Sequence, residues 1–292
     1  MHIVDFILNV VGVLLWLSWR AIRVEAVARP GTSLVATLKP ASPPGSRWVY
    51  LASLFGLLAG RAIFYWLIAP RVHWIPRLSL GLTTLAFGPI SEAFRVDVML
   101  RFLLFSFLSF GLAMAWFYMC LLFLSAVNAK FPENNPHQRF IQLHLGWLEW
   151  APRWIKPLLQ LAGATVLWCG LNPVLAYLNI APRAPMANLA GQGALLGVVF
   201  YLHLQYPLAA ILALHLVDSY VYLGENSFWN WITQTSGRLV TPLRWLPLVI
   251  WKIDLAPPLG IALLIGGPVL WERVSASTGW GLHQVYQRLI VG

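Results

Sequence analysis

The sequence predicts an all-α, polytopic membrane protein with five to six transmembrane helices. Of its 292 residues, 59% are hydrophobic and only 10% are charged, whereas charged residues make up about 25% of ordinary soluble domains. Many of the sixteen tryptophans lie near the ends of long apolar runs. This placement is expected of rings that favour the membrane–water interface.

Six apolar runs are predicted to cross the membrane, at residues 4–19, 48–69, 98–127, 157–179, 193–223 and 254–271. The first is predicted to be a retained anchor, because Arg20 and Arg23 follow it, whereas a secretory signal carries its positive charge before the apolar run. Residues 29–47 are too rich in Pro and Gly for a helix, so we expect a loop there. The apolar stretch 78–90 is shorter than the roughly 20 residues that cross a bilayer, so we expect an interfacial or re-entrant helix.

Proline and glycine positions predict interruptions in the fourth and fifth spans. Asn172-Pro173 is predicted to kink the fourth span and Pro207 to break the fifth, because proline removes a helix hydrogen bond. A short turn is expected over 181–190. The Gly191-Gln192-Gly193 sequence is interpreted either as a turn or as a site of close packing.

The net charge of +10 arises from 20 basic and 10 acidic residues. Contact with anionic headgroups explains this charge better than nucleic-acid binding, because no soluble basic domain is present to hold a duplex. Twelve Lys and Arg residues lie in the segments 20–47, 128–156 and 224–253, against six in the segments on the other side. The positive-inside rule therefore places these three segments in the cytoplasm, in a bacterial inner membrane or a derived internal membrane.

Residues 128–156 and 224–253, here named the first and second elbows, each connect two spans. In the second elbow, Asn226 is predicted to start a helix, since its side chain can accept hydrogen bonds from the first free N–H groups. Pro242 and Pro247 then forbid one long helix. Asp254 is predicted to lie at the N-terminus of the last span, where the helix dipole favours negative charge. The second elbow is thus predicted to be an amphipathic helix followed by a bent segment and a capped membrane helix.

The order Asn-x-Phe, Pro-Leu-Arg and Ile-Asp-Leu-x-Pro over residues 226–257 resembles the YggT/YlmG family of small bacterial and chloroplast membrane proteins. The resemblance extends over about 98–271 and is strongest over 226–257. It implies repeated units of span, elbow and span. It also implies a role in membrane organisation, nucleoid distribution at division, cytochrome-complex maturation or ion passage under osmotic stress. This chain departs from the family pattern at Ser227, Trp245, Lys252 and Ala256.

A degenerate copy of the motif is predicted in the first elbow, where Gly146 follows Asn135 at the interval that separates Gly237 from Asn226. The motif positions of the two copies are Asn135, Pro136, Gly146, Pro152, Pro157, Asn226, Gly237, Pro242, Pro247, Asp254 and Pro257. The chain is therefore predicted to hold a tandem repeat. The expected domains are an N-terminal membrane extension at 1–97, a first repeat at 98–180, a second repeat at 181–272 and a polar tail at 273–292.

The polar residues predicted inside the spans are Arg61, His203, His215 and Asp218. An arginine at mid-span costs roughly 2.5–3.5 kcal/mol on insertion scales, so Arg61 is expected to face protein or to snorkel. His215 and Asp218 share a helical face, which we interpret as an interfacial polar pair rather than a proton-carrying site. His203 lies near that face, but no second span offers a histidine to complete a bis-histidine haem site.

No cofactor or metal site is predicted. Cys120 and Cys169 lie in apolar runs and form no CxxC or CxxCH pattern, and the spacing of His137 and His144 does not suit an HExxH site. The sequence has no Gly-rich phosphate loop, GxSxG motif or paired catalytic carboxylates. We therefore expect that the protein is not an enzyme, with lipid or haem chemistry as the remaining enzymatic alternative.

The leading hypothesis is a non-catalytic scaffold, assembly factor or accessory subunit of a larger membrane complex. Its elbows would bind anionic phospholipids and segments of other integral membrane proteins. The residues expected to make these contacts are Phe228, Trp229, Trp231, Arg238, Arg244, Trp245, Lys252, Arg139, Trp147, Arg153 and Lys156. The alternative is a channel or transporter for ions or osmolytes, in which Arg61, His215 and Asp218 line a polar path.

Overall fold

The computed structural model describes residues 2–27, 47–73, 78, 98–128, 135–180, 185–221, 224, 226–243, 245, 249–250, 253–278, 281, 284–285 and 288–289. The loop predicted at 29–47 lies outside these residues except for its last position, and the helix predicted at 78–90 except for its first. Arg244, Pro247 and Lys252 also lie outside them.

Helices make up nearly all of the described chain. They are α1 (His2–Val27), α2 (Arg47–Val72), α3 (Met99–Val127), α4 (Pro136–Leu145), α5 (Ile155–Tyr177), α6 (Met186–His203), α7 (Gln205–Tyr220), α8 (Ser227–Leu239) and α9 (Ala256–Thr278). Short 3-10 turns cover Gly146–Trp150 and Thr241–Leu243. The strands β1 (Val249–Ile250) and β2 (Ile253–Asp254) form one antiparallel pair. Apart from this two-residue ladder, the helical class predicted from the sequence is confirmed.

Five helical segments in the described residues are long and apolar enough to cross a membrane: Ile3–Ala21, Trp48–Arg71, Met99–Val127, Ile155–Tyr177 and Ala187–Tyr220. They coincide with the first five predicted spans. The sixth predicted span, 254–271, lies almost entirely in α9, which is not among the five. That helix continues past Glu272 and Arg273 to Thr278, so the predicted polar tail begins inside it.

The fifth span differs from its prediction at both its start and its break. The turn predicted over 181–190 is wrong in its second half, because α6 begins at Met186, directly after Pro185. The helix is interrupted at Leu204, three residues before Pro207, so that this proline lies in the first turn of α7. A missing N–H has no cost in a first turn, where that group has no helical partner.

The N-terminal compact unit comprises Met1–Ala86 and Ile90–Ala115. Its core follows a stripe of α2 residues at helical spacing, namely Leu54, Leu58, Ala62, Tyr65 and Ala69. Ser106 on α3 donates to the Leu58 carbonyl oxygen at 2.8 Å. On α1, a Cβ at Gly12 would lie 2.9 Å from Phe110 Cε2, so the absence of a side chain there allows the two helices to pack closely.

The second compact unit comprises Phe87–Pro89 and Trp116–Gly292. Its α5 and α6 meet so closely that a Cβ at Gly193 would lie 2.6 Å from the Thr165 Cα. The Gly191-Gln192-Gly193 sequence is therefore a packing site inside α6, and the turn interpretation is wrong. The core of this unit contains Leu121, Leu122, Ile141, Leu145, Ile211, Trp231 and Ile232.

Candidate functional site

Each elbow contains a short helix that begins at an asparagine cap. The Asn135 Oδ1 accepts a hydrogen bond from the His137 N–H at 3.0 Å. The Asn226 Oδ1 accepts from the N–H groups of Phe228 and Trp229, both at 3.1 Å. These bonds satisfy donors that a helix start leaves free. The predicted role of Asn226 as a helix start is thus confirmed.

The two elbow helices, α4 and α8, contact each other directly, and we call them the elbow pair. The Asn135 Nδ2 donates to the Ser227 carbonyl oxygen at 3.3 Å. The His137 ring centroid lies 5.6 Å from that of Phe228 and 5.9 Å from that of Trp231. The elbow pair therefore forms one continuous part of the second unit.

Apolar and polar contacts hold the elbow pair against the ends of α3 and α7. Ile141 and Ile232, each six residues after its asparagine cap, are buried in the same cluster. The Asn128 Nδ2 donates to the Thr235 Oγ1, and the Thr233 Oγ1 donates to the Asp218 Oδ2, both at 3.0 Å. The paired isoleucines occupy matching positions of the predicted repeat, which itself remains a prediction.

The residues predicted to bind lipid or partners have very different environments. Arg139, Trp147, Arg153, Phe228 and Trp245 are exposed. Trp229 and Arg238 are half-buried, and an Arg238 guanidinium nitrogen donates to the Val127 carbonyl oxygen at 3.4 Å. Trp231 and Lys156 are buried, so neither has the surface position that the sequence suggests. The surface of the first elbow therefore carries much of the exposed aromatic and basic character.

The burial of Lys156 has a specific cause. Its ammonium lies 2.5 Å from the Ser125 Oγ and 3.2 Å from the Glu149 Oε2, and Ser125 donates to the same carboxylate oxygen. These three residues are here named the Lys156 cluster, and they connect α3, the 3-10 turn and α5. A serine beside a lysine can act as a nucleophile when the lysine has a free lone pair. Ser125 is fully buried and is bonded to both Glu149 and Lys156, so the cluster connects three segments of the second unit.

In the N-terminal unit, the predicted intramembrane residue Arg61 faces protein. Its guanidinium donates to the Asp5 Oδ1 at 2.7 Å, to the Asn9 Oδ1 at 2.8 Å and to the Ser109 Oγ at 3.0 Å. The Tyr65 hydroxyl donates to the same Asp5 oxygen at 2.5 Å. Arg61 and Asp5 are only 3% and 4% exposed, so the ion pair is compensated inside the protein.

The remaining predicted polar residues lie on α6 and α7. His203 is buried, and its Nδ1 lies 2.9 Å from the Val199 carbonyl oxygen, one turn earlier in α6. His215 and Asp218 are half-buried, and the carboxylates of Asp218 and Asp254 both act electrostatically on His215. Among the described residues, no three His, Cys, Asp or Glu side chains are grouped to hold a metal ion.

Sequence reasoning missed the partners of both buried cations. Asp5 and Asn9 are polar residues in the first apolar run, and Glu149 lies seven positions before Lys156. A usable signal was present for Arg61. An acid in one apolar run and a base in the next favour pairing, because either charge alone is costly in hydrocarbon.

Comparison of the chain with protein-family models, with curated proteins and with solved structures gives no significant match.

Proposed function

We propose that this protein is a non-catalytic integral membrane scaffold, assembly factor or accessory subunit of a larger membrane complex. The observation that carries the proposal is the direct contact between the two elbow helices. Because α4 and α8 pack together, the exposed aromatic and basic residues of both elbows are carried by one packed part of the second unit. Such surfaces suit anionic headgroups and the juxtamembrane segments of partner proteins.

The resemblance to the YggT/YlmG family supports a role of the same broad kind. The tandem arrangement of the elbows, their cytoplasmic position and a bacterial inner membrane are parts of this proposal. The charge bias of the loops supports the orientation.

Co-purification of the full-length protein in a mild detergent tests the proposal. We expect a stoichiometric complex with other membrane proteins. The double variant Arg139→Glu/Trp245→Ala should release these partners without lowering the melting temperature, because both side chains are exposed. The control Arg71→Glu/Trp271→Ala changes an exposed arginine and an exposed tryptophan outside the elbows and should retain them. A lone monomer in several detergents would contradict the proposal.

The channel alternative has less support, because Arg61 already binds Asp5, Asn9 and Ser109. A side chain that already makes these hydrogen bonds is poorly suited to line a path for ions. Ion flux in reconstituted liposomes that disappears in the Asp218→Ala variant would favour the channel instead.

A further inference from the structure

We propose that the segment between α4 and α5 binds the headgroups of anionic phospholipids. This segment, Gly146–Trp154, is here named the tryptophan turn. The inference rests on the proposed function and deepens it, since it assigns one ligand class to the first elbow.

Three tryptophans of this turn are strongly exposed. Trp147 is 80% exposed, Trp150 is 91% exposed and Trp154 is 69% exposed. The turn directly precedes Ile155–Tyr177, a segment apolar enough to span a membrane. Tryptophan at the end of a span lies at headgroup level, where its ring is in the apolar boundary and its N–H can reach polar groups. Their common position at one end of α5 thus favours a lipid interface.

The charges around the turn determine which headgroups it favours. Arg139 and Arg153 are exposed, and neither forms an ion pair with a described residue. Glu149 is the one carboxylate in the described part of the first elbow. Its Oε2 accepts hydrogen bonds from both Lys156 and Ser125. The exposed charge of the turn is therefore positive, which complements a phosphodiester with a net negative headgroup. A basic residue near an anionic surface contributes about fivefold to binding.

The Lys156 cluster gives this surface its position and its sign of charge. Lys156 is only 2% exposed, so it does not contact a headgroup itself. Its bonds to Ser125 on α3 and to Glu149 fix the turn against α3 and compensate the one acid in the described part of the first elbow. Lys156 is therefore a positioning residue, and the exposed arginines and tryptophans are the binding residues.

Fluorescence quenching by brominated lipids tests the site in the full-length protein. The protein is reconstituted into vesicles that contain brominated phosphatidylglycerol or brominated phosphatidylcholine. Relative binding constants come from the tryptophan quenching. We expect brominated phosphatidylglycerol to quench more strongly than brominated phosphatidylcholine. This difference between the two lipids should disappear in the variant Trp147→Phe/Trp150→Phe/Trp154→Phe. The matched variant Trp48→Phe/Trp66→Phe/Trp271→Phe removes three tryptophans that are also exposed but lie on helices elsewhere, and it should keep the preference.

Charge variants separate electrostatic binding from apolar contact. The variant Arg139→Gln/Arg153→Gln should weaken the preference for phosphatidylglycerol by up to about 25-fold, from two contributions of about fivefold each. Arg71→Gln removes one exposed arginine at the end of α2 and should leave the preference unchanged. Equal quenching by both lipids in the wild type would overturn the proposal. The proposal would also be overturned if the triple tryptophan variant of the turn were quenched like the wild type, because the turn would then face protein instead of lipid.

A further pair of variants tests whether Lys156 acts by compensating the Glu149 charge. Lys156→Met leaves that charge uncompensated within the tryptophan turn and should reduce the preference for phosphatidylglycerol. In Glu149→Gln/Lys156→Met both charges are absent, so the preference should return to that of the wild type. If the double variant keeps the defect of the single one, the lipid preference does not depend on compensation of the Glu149 charge, and that role of Lys156 is wrong. Circular dichroism of each variant verifies that the helices are intact.

The inference and the proposed function can fail separately. Loss of all partners in mild detergent with an intact lipid preference contradicts the scaffold proposal alone. A stable complex without any preference for phosphatidylglycerol contradicts the lipid site alone.

Discussion

Replacing Arg61 with methionine is expected to destabilise the N-terminal unit by roughly 3–5 kcal/mol, the usual cost of removing one partner of a buried ion pair. The large value follows from burial. Asp5 is only 4% exposed, so its carboxylate would keep the Tyr65 hydrogen bond but lose its positive partner. The Asn9 and Ser109 side chains would also lose the guanidinium bonds that they now make.

The double variant Asp5→Asn/Arg61→Met should be far less affected, with a loss of about 1 kcal/mol, because neither charge remains to be compensated. An asparagine at position 5 still accepts a hydrogen bond from Tyr65. The two substitutions are therefore expected to be strongly non-additive. Arg71→Met, at an exposed position near the end of the same helix, should change stability by no more than about 0.5 kcal/mol.

Reversible unfolding of the purified protein in mixed micelles, with increasing sodium dodecyl sulfate, measures these differences. A cysteine introduced on α1 reports whether that helix separates first. If the double variant is as unstable as the single one, the residues contribute by packing rather than by charge. If the single variant is as stable as the wild type, the ion pair contributes nothing, and the argument from burial is refuted.

Three other substitutions test separate parts of the second unit. Gly193→Ala should lower the free energy of unfolding by roughly 1–3 kcal/mol, because its Cβ would overlap the backbone of α5. The control Gly163→Ala places its Cβ in open space and should be neutral or stabilising. Thermal denaturation measures both. Asn226→Ala should cost roughly 0.5–2 kcal/mol by removing a helix cap; an unchanged melting temperature would show that the cap does not stabilise α8. Gln192→Leu removes the hydrogen bonds with the Trp168 ring N–H and with the Leu289 carbonyl oxygen. The C-terminal segment should then become sensitive to limited proteolysis. An unchanged cleavage rate would contradict the contact between Gln192 and Leu289.

Local signals in the sequence were sufficient to predict most of the long helices in the described part of the chain. Apolar runs located the five candidate spans to within a few residues at most ends, because hydrophobicity over a span-length window is a strong signal. The helix start at Asn226 was also predictable, and so was the role of Asp254, whose Oδ1 accepts from the Ala256 N–H at 2.8 Å at the start of α9. A cap depends on residues two or three positions apart. The start of α6 was missed because proline at 185 looked like part of a turn, whereas it directly precedes a helix.

Contacts between distant residues were beyond that reasoning. The sequence predicts that Lys156 binds lipid or a partner because it is a basic residue of the first elbow, but its environment is set by Ser125, thirty-one positions away. Similarly, Arg61 and Asn9 are 52 positions apart. Periodicity shows which face of a helix is apolar, but not which helix covers that face.

The separation between Asp5 and Arg61 also has a consequence in time. The two residues are 56 positions apart, and a ribosome that adds roughly 5–20 residues per second needs about 3–11 seconds to make the second after the first. During that interval the leading helix carries an acid without its counter-ion. The leading helix is therefore expected to complete its packing only after the next helix has left the ribosome, so that the two helices pack together as a hairpin.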